Sequence, residues 1–211
     1  MGLYAEQLSG TPFTFNKHKN QRSWLYKIVP TAKHGNWSEC KGINGWESNF
    51  EGDDKIVSPE QLRWQPREDK TEVSFLRSVK TMMGAGSPGL KNGLNISTYS
   101  FVQKAQSRIA FYSADGDLLI VPQQGALRVT TEQGKLFIKP KEIVVIPRGV
   151  KHRIEGETED AFYRGWMAEV YKGHFVIPDL GPIGANGCAN ERDFLAPSAA
   201  YEEDHSIPAD E

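Results

Sequence analysis

The feature that most constrains the fold is a succession of short β-branched or aromatic segments separated by turn residues. Ile109–Tyr112, Asp117–Val121, Ala126–Thr131, Lys135–Lys139, Ile143–Ile146 and His152–Ile154 are each three to six residues long. Between them stand Ala114-Asp115-Gly116, Gln123-Gln124-Gly125, Glu132-Gln133-Gly134, Pro140-Lys141 and Pro147-Arg148-Gly149. Short strands at this spacing predict an all-β antiparallel sandwich or jelly roll. Leu127-Arg128-Val129-Thr130 alternates apolar and polar residues, as a half-buried strand does. Ile143-Val144-Val145-Ile146 is apolar throughout and reads as a central strand. Residues 161–171 supply one or two more strands through Tyr163, Trp166 and Val170.

Three stretches follow from this pattern. Residues 1–93 form an irregular N-terminal arm with short strands, such as 24–29, and a short helix over 58–62, where Ser58 caps and Pro59 opens the first turn. Four of the five tryptophans (Trp24, Trp37, Trp46 and Trp64) lie in the arm, which is ordered by laying those rings against another surface. Residues 84–93 (GAGSPGLKNG) read as a loop. Residues 94–177 form the β core. Residues 178–211 are a Gly/Pro-rich loop followed by an acidic tail.

The chain has 211 residues, 38% of them hydrophobic and 25% charged, enough to bury a core within one domain. A net charge of −2 gives no electrostatic grip on nucleic acid or an anionic membrane. No apolar run is long enough to cross a bilayer. The two cysteines, Cys40 and Cys188, make no C-x-x-C pair and read as reduced, buried thiols of a cytoplasmic protein. The first ten residues lack the basic and apolar regions of a secretory signal. The sequons at Asn36 and Asn95 are therefore expected to stay unmodified.

Pro147, Gly149 and His152 fit the pattern P-x-G-x-x-H, which resembles the second motif of the cupin superfamily. In metal-binding cupins that histidine joins an H-x-H pair and a carboxylate, because Fe(II) or Mn(II) needs several N and O donors converging from adjacent strands. Here the first motif falls near Tyr112–Leu119, which contains no histidine and offers only Asp115 and Asp117. His152 therefore reads as a hydrogen-bonded histidine at the rim of the sandwich.

The remaining histidines (His18, His34, His174 and His205) form no H-x-H. His152 and Glu155, like Glu169 and His174, stand at odd separations that place them on opposite faces of a strand. His174 is expected to bond a backbone group. Residues 84–89 match G-x-G-x-x-G by letter but carry Pro88 and precede no amphipathic helix, so they are not a dinucleotide turn. Ser113 and Ser198 lack a nucleophile elbow, and Cys188 has no evident base. No residue is assigned a catalytic, cofactor-binding or metal-binding role.

Longer strings carry a closer resemblance. Leu3–Gly10, Arg22–Tyr26, Gln61–Trp64, Phe111–Gly125, Glu142–Gly149, His174–Asn190 and Arg192–Leu195 resemble the N-terminal half of the homogentisate 1,2-dioxygenase family over nearly the whole chain, with divergence near 30–57 and 67–80. The resemblance implies an oligomeric cytosolic enzyme of tyrosine and phenylalanine breakdown. Such an enzyme uses Fe(II) and O2 to open homogentisate to maleylacetoacetate. It also implies that two histidines and a glutamate hold the iron in a C-terminal part with no counterpart here. The match starts at Leu3, so the family's short N-terminal leader is expected to be missing. The expected role is to brace the catalytic half and build the homo-oligomer, with no cofactor held by this chain. The competing expectation is a free-standing, metal-free cupin that binds or isomerises a small molecule in an open polar pocket formed by His152, Asp115 and Asp117.

Overall fold

The computed structural model describes residues 2–12, 14–39, 43, 45–52, 63, 74–104, 109–176 and 191–198. The helix expected at 58–62, Trp64, both cysteines, His205 and the 178–187 loop lie outside the described residues.

The chain is built on antiparallel strands. β1 (Tyr4–Ser9) and β2 (Arg22–Lys27) form a separate hairpin. One turn of helix, α1 (Phe75–Ser78), leads into β3 (Lys80–Ser87) and β4 (Asn92–Val102). Then follow β5 (Asp117–Gln124), β6 (Leu127–Thr131), β7 (Gly134–Ile138), β8 (Val144–Ile146), β9 (His152–Gly156) and β10 (Phe162–Val170). A five-stranded sheet, ordered β3-β4-β10-β5-β8, packs on a three-stranded sheet, ordered β7-β6-β9.

Side-chain alternation fixes which face is buried. In β4, Tyr99 and Phe101 point inward with Asn95 and Ser97, while Leu94, Ile96 and Thr98 point outward. Phe75 packs on Tyr99 at 4.9 Å between ring centroids, and Phe101 stacks on Tyr163 at 5.2 Å. Leu118, Ile120, Leu127, Val129 and Met167 complete the core. Tyr163 fits because the chain beside it carries no side chain: a Cβ on Gly156 would stand 2.1 Å from its ring, and one on Gly125, at φ +79°, would stand 2.3 Å away.

Four expectations change. Ile109–Tyr112 is not a strand; only Phe111 bridges His152, through two 2.8 Å backbone hydrogen bonds, as the chain crosses the end of β9. Ile143–Ile146 lies at the sheet's edge rather than its centre: among the described residues β8 pairs with β5 alone, and Ile143 is 63% and Val145 40% exposed. Its unbroken apolar run arises because the outer face of the sheet is apolar as well as the inner one. Residues 84–93 are not a loop: β3 runs through Ser87, only 88–91 turn, and β4 begins at Asn92. Residues 161–171 supply one strand, β10, as the sequence allowed, and it lies in the middle of its sheet. Strand 24–29 runs from Arg22 to Lys27 and pairs with β1, which the sequence did not announce. No described helix is long and apolar enough to cross a membrane.

Candidate functional site

His152, the motif histidine, opens β9 and is 3% exposed. Its Nδ1 lies 3.0 Å from the Val150 carbonyl oxygen, so that nitrogen carries the proton and donates. Phe111 meets the ring edge-on at 5.6 Å. Burial holds the imidazole pKa below its usual value, partly offset by the bond to Val150. The neutral ring leaves Nε2 as an acceptor, and Nε2 is buried with no hydrogen-bond partner among the described residues. His152 borders a cavity of about 500 Å3 between the 34–39 segment, α1 and β9, shared with Trp37, Phe75, Arg77, Phe111 and Ile154. Neither Asp115 nor Asp117 lines it, so the open pocket expected to unite those carboxylates with His152 is not formed there.

Asp117, 2% exposed, has a different task. It accepts hydrogen bonds from the Arg148 backbone N–H and Nε, both at 3.1 Å, from His174 Nδ1 at 3.1 Å and from the Phe175 N–H at 3.3 Å. Arg148, inside the P-x-G-x-x-H motif, also donates to the carbonyls of Val170, Tyr171 and Gly173. His174 thus bonds a carboxylate rather than the expected backbone group. The pair was hidden in the sequence because 57 positions separate its members and contact depends on β5 and β10 lying side by side.

Glu169 is the inward group one residue earlier on β10. Ser113 Oγ donates to it, and Trp46 bonds it as well. Burial pushes its pKa above the usual carboxylate value and the nearby Asp115 adds to the rise, while the bonds from Ser113 and Trp46 oppose it. Asn95 donates to Thr81 Oγ1 at 2.9 Å and to the Glu47 carbonyl, and accepts from Ser97. At 0% exposure, Asn95 offers no surface for glycosylation. Gly84–Gly89 runs along β3 into a turn followed by a strand, which leaves no helix N-terminus for a pyrophosphate.

An Fe(II) centre would need several of these donors to converge. No three His, Cys, Asp or Glu side chains converge among the described residues. His34 and Glu39 also line the cavity beside His152 but do not converge with it as a metal-holding group, and the Asp117 and Glu169 oxygens are taken up by Arg148, His174, Ser113 and Trp46. The described residues do not fit an iron centre.

Fold and clusters together define an antiparallel β-sandwich whose buried polar groups are mostly turned on one another. The family model described as "Homogentisate 1,2-dioxygenase N-terminal" matches residues 1–210. The chain belongs to that family. Homogentisate 1,2-dioxygenase of Emericella nidulans is 44% identical over 96% of this chain and 44% of its own length. The protein of that name from Rhodopseudomonas palustris (strain HaA2) is 46% identical over 99% of this chain and 46% of its own length. The chain therefore spans less than half the length of these curated relatives. Among solved structures, a cupin-family protein with a double-stranded β-helix fold from Methanocaldococcus jannaschii matches with a TM-score of 0.37 at 14% identity, over 55% of this chain and 94% of that one.

Proposed function

We propose that this chain is the N-terminal, non-catalytic part of a cytoplasmic homogentisate-cleaving dioxygenase, and that it braces the iron-bearing half and contributes to the oligomer. The observation that carries the reading is family membership combined with coverage: 96% of the chain aligns to 44% of a relative named for this reaction. The state of the buried carboxylates supports it, since Asp117 and Glu169 are held by hydrogen bonds that join segments distant in sequence. On this reading the iron supplies O2 activation from the other half, and the residues here supply rigidity. A second reading, a free-standing metal-free binding module, draws on the cavity beside His152.

Oxygen uptake with homogentisate separates the two. The intact polypeptide carrying this chain is expected to consume O2 when loaded with Fe(II), and the 211-residue chain alone to consume none. Homogentisate-dependent uptake by the chain alone, or its absence from the intact polypeptide, would overturn the proposal.

A further inference from the structure

Glu169 is a buried carboxylate with no cation bonded to it among the described residues. It is 3% exposed, and the groups that bond it, Ser113 and Trp46, are neutral. β4 sets Asn95, also neutral, opposite it. Asp115 adds a like charge from the 113–116 loop. The Tyr171 hydroxyl is buried without a hydrogen-bond partner among the described residues; burial raises its pKa and the charges of Glu169 and Asp115 add to the rise, so it lies close to both carboxylates. The nearby guanidinium, Arg148, is committed to Asp117 at 3.1 Å, and His174 bonds Asp117 as well. Gly116 closes the site. A Cβ there would stand 2.6 Å from the Val170 carbonyl oxygen and 2.8 Å from Glu169 Cγ, which leaves no room for water on that side. An ionised carboxylate in such a place must gain water or a cation.

Both are found at one boundary, the segment leaving β10. Arg148 holds this segment by donating to the carbonyls of Val170, Tyr171 and Gly173, and Asp117 holds it by accepting from the Phe175 N–H at 3.3 Å. The Tyr171 N–H bonds the Gly93 carbonyl at 3.1 Å. The turn that carries Arg148 also reaches Glu169: the Gly149 N–H donates to the Ser113 carbonyl at 2.7 Å, and the Ser113 hydroxyl bonds the carboxylate. One set of bonds thus joins Glu169 to the segment. We propose that residues 171–175 form a proton-sensitive strap, closed while Glu169 is neutral and opening ahead of the rest of the sandwich when Glu169 ionises. Opening admits water to the carboxylate and frees Arg148 to pair with it. The strap can open alone because Lys172 and Gly173 are exposed and nothing packs within 4 Å of a Cβ on Gly173, whereas β6 is paired on both sides. The closed site holds its proton above the ordinary carboxylate value of 4.5. Each pH unit above that value therefore favours the open form by up to about tenfold, until Glu169 ionises in the closed form as well.

Amide hydrogen exchange of the 211-residue chain, followed by NMR at several pH values above 4.5 and corrected for the intrinsic rate at each, tests the strap. The Tyr171 and Phe175 amides are expected to be less protected than those of β6 throughout, and their protection to fall with rising pH by up to about tenfold per unit. Glu169→Gln keeps the hydrogen-bonding shape and removes the charge, so it is expected to abolish most of the fall; the remainder belongs to His174, which faces Asp117. Asp115→Asn, at an exposed residue, keeps Glu169 and removes its like-charged neighbour. In that variant the fall is expected to be smaller and to level off at lower pH, a result that does not require Glu169→Gln to fold. Protection of Tyr171 and Phe175 that stays level across the range, an equal fall in Glu169→Gln, an unchanged profile in Asp115→Asn, or exchange of both amides only together with β6 would overturn the proposal.

Discussion

Replacing Asp117 by Ala removes the acceptor of four hydrogen bonds at once. Arg148 loses its buried partner, its side chain being 21% exposed, and the Phe175 N–H and His174 lose their anchor. Removing one member of a buried ion pair costs about 3–5 kcal/mol, because the surviving charge stays desolvated. That is a large share of the roughly 5–15 kcal/mol that holds a domain folded, and for a chain of this size it lowers Tm by about 10 °C. Asp117→Asn retains one acceptor oxygen and the shape of the side chain, so its cost is expected to fall to about 1.5–3 kcal/mol, the range for hydrogen bonds to a charged group. Urea denaturation followed by tryptophan fluorescence gives both values at constant m. Trypsin supplies a local readout: exposed Lys172 lies in the segment that the carboxylate pins, and is expected to be cut faster in Asp117→Ala. A destabilisation below about 1 kcal/mol, typical of an exposed pair, with no change at Lys172, would refute the reasoning.

Glu169 has a raised pKa in the folded state, so the native chain binds more protons than the unfolded one above the ordinary carboxylate value of 4.5. Stability is therefore expected to decline as pH rises from that value through the folded pKa, and Glu169→Gln to flatten the decline in urea melts between pH 5 and 8. His152 behaves oppositely. Its pKa is lowered from 6.5, so stability is expected to fall as pH drops below that value while the unfolded histidine takes up protons; His152→Gln should remove this component. Gly156→Ala sets a methyl 2.1 Å from the Tyr163 ring and is expected to cost about 1–3 kcal/mol by overpacking, measured by the urea midpoint. Phe101→Ala, at a site 0% exposed, is expected to cost about 3–5 kcal/mol by the same assay.

The sequence carried local pattern well and lateral order poorly. Leu127 and Val129 are buried and Arg128 is exposed, as the alternation in that segment requires. Strand order depends on contacts between distant segments, so nothing within Ile143–Ile146 could reveal that, among the described residues, β8 has a neighbour on one side only. The Gly-rich run at 84–89 looked like a turn because its small residues are turn formers. Its first four residues are strand, paired with β4, with Phe50 packed where a side chain on Gly84 would stand and the Phe50 N–H bonded to Gly86; only Pro88 and Gly89 belong to the turn. For the site, the motif histidine was legible and its surroundings were not. Arg148, Asp117 and His174 are unremarkable apart, and their joint role appears only when β5 and β10 lie side by side.

Anaerobic titration of the purified 211-residue chain with Fe(II), followed by calorimetry and by metal analysis after desalting, probes most directly whether these residues hold structure or do metal chemistry. The account predicts no saturable heat and no retained iron, with a urea midpoint unmoved by the metal. One tightly held iron per chain, released on substitution of His152, would contradict it.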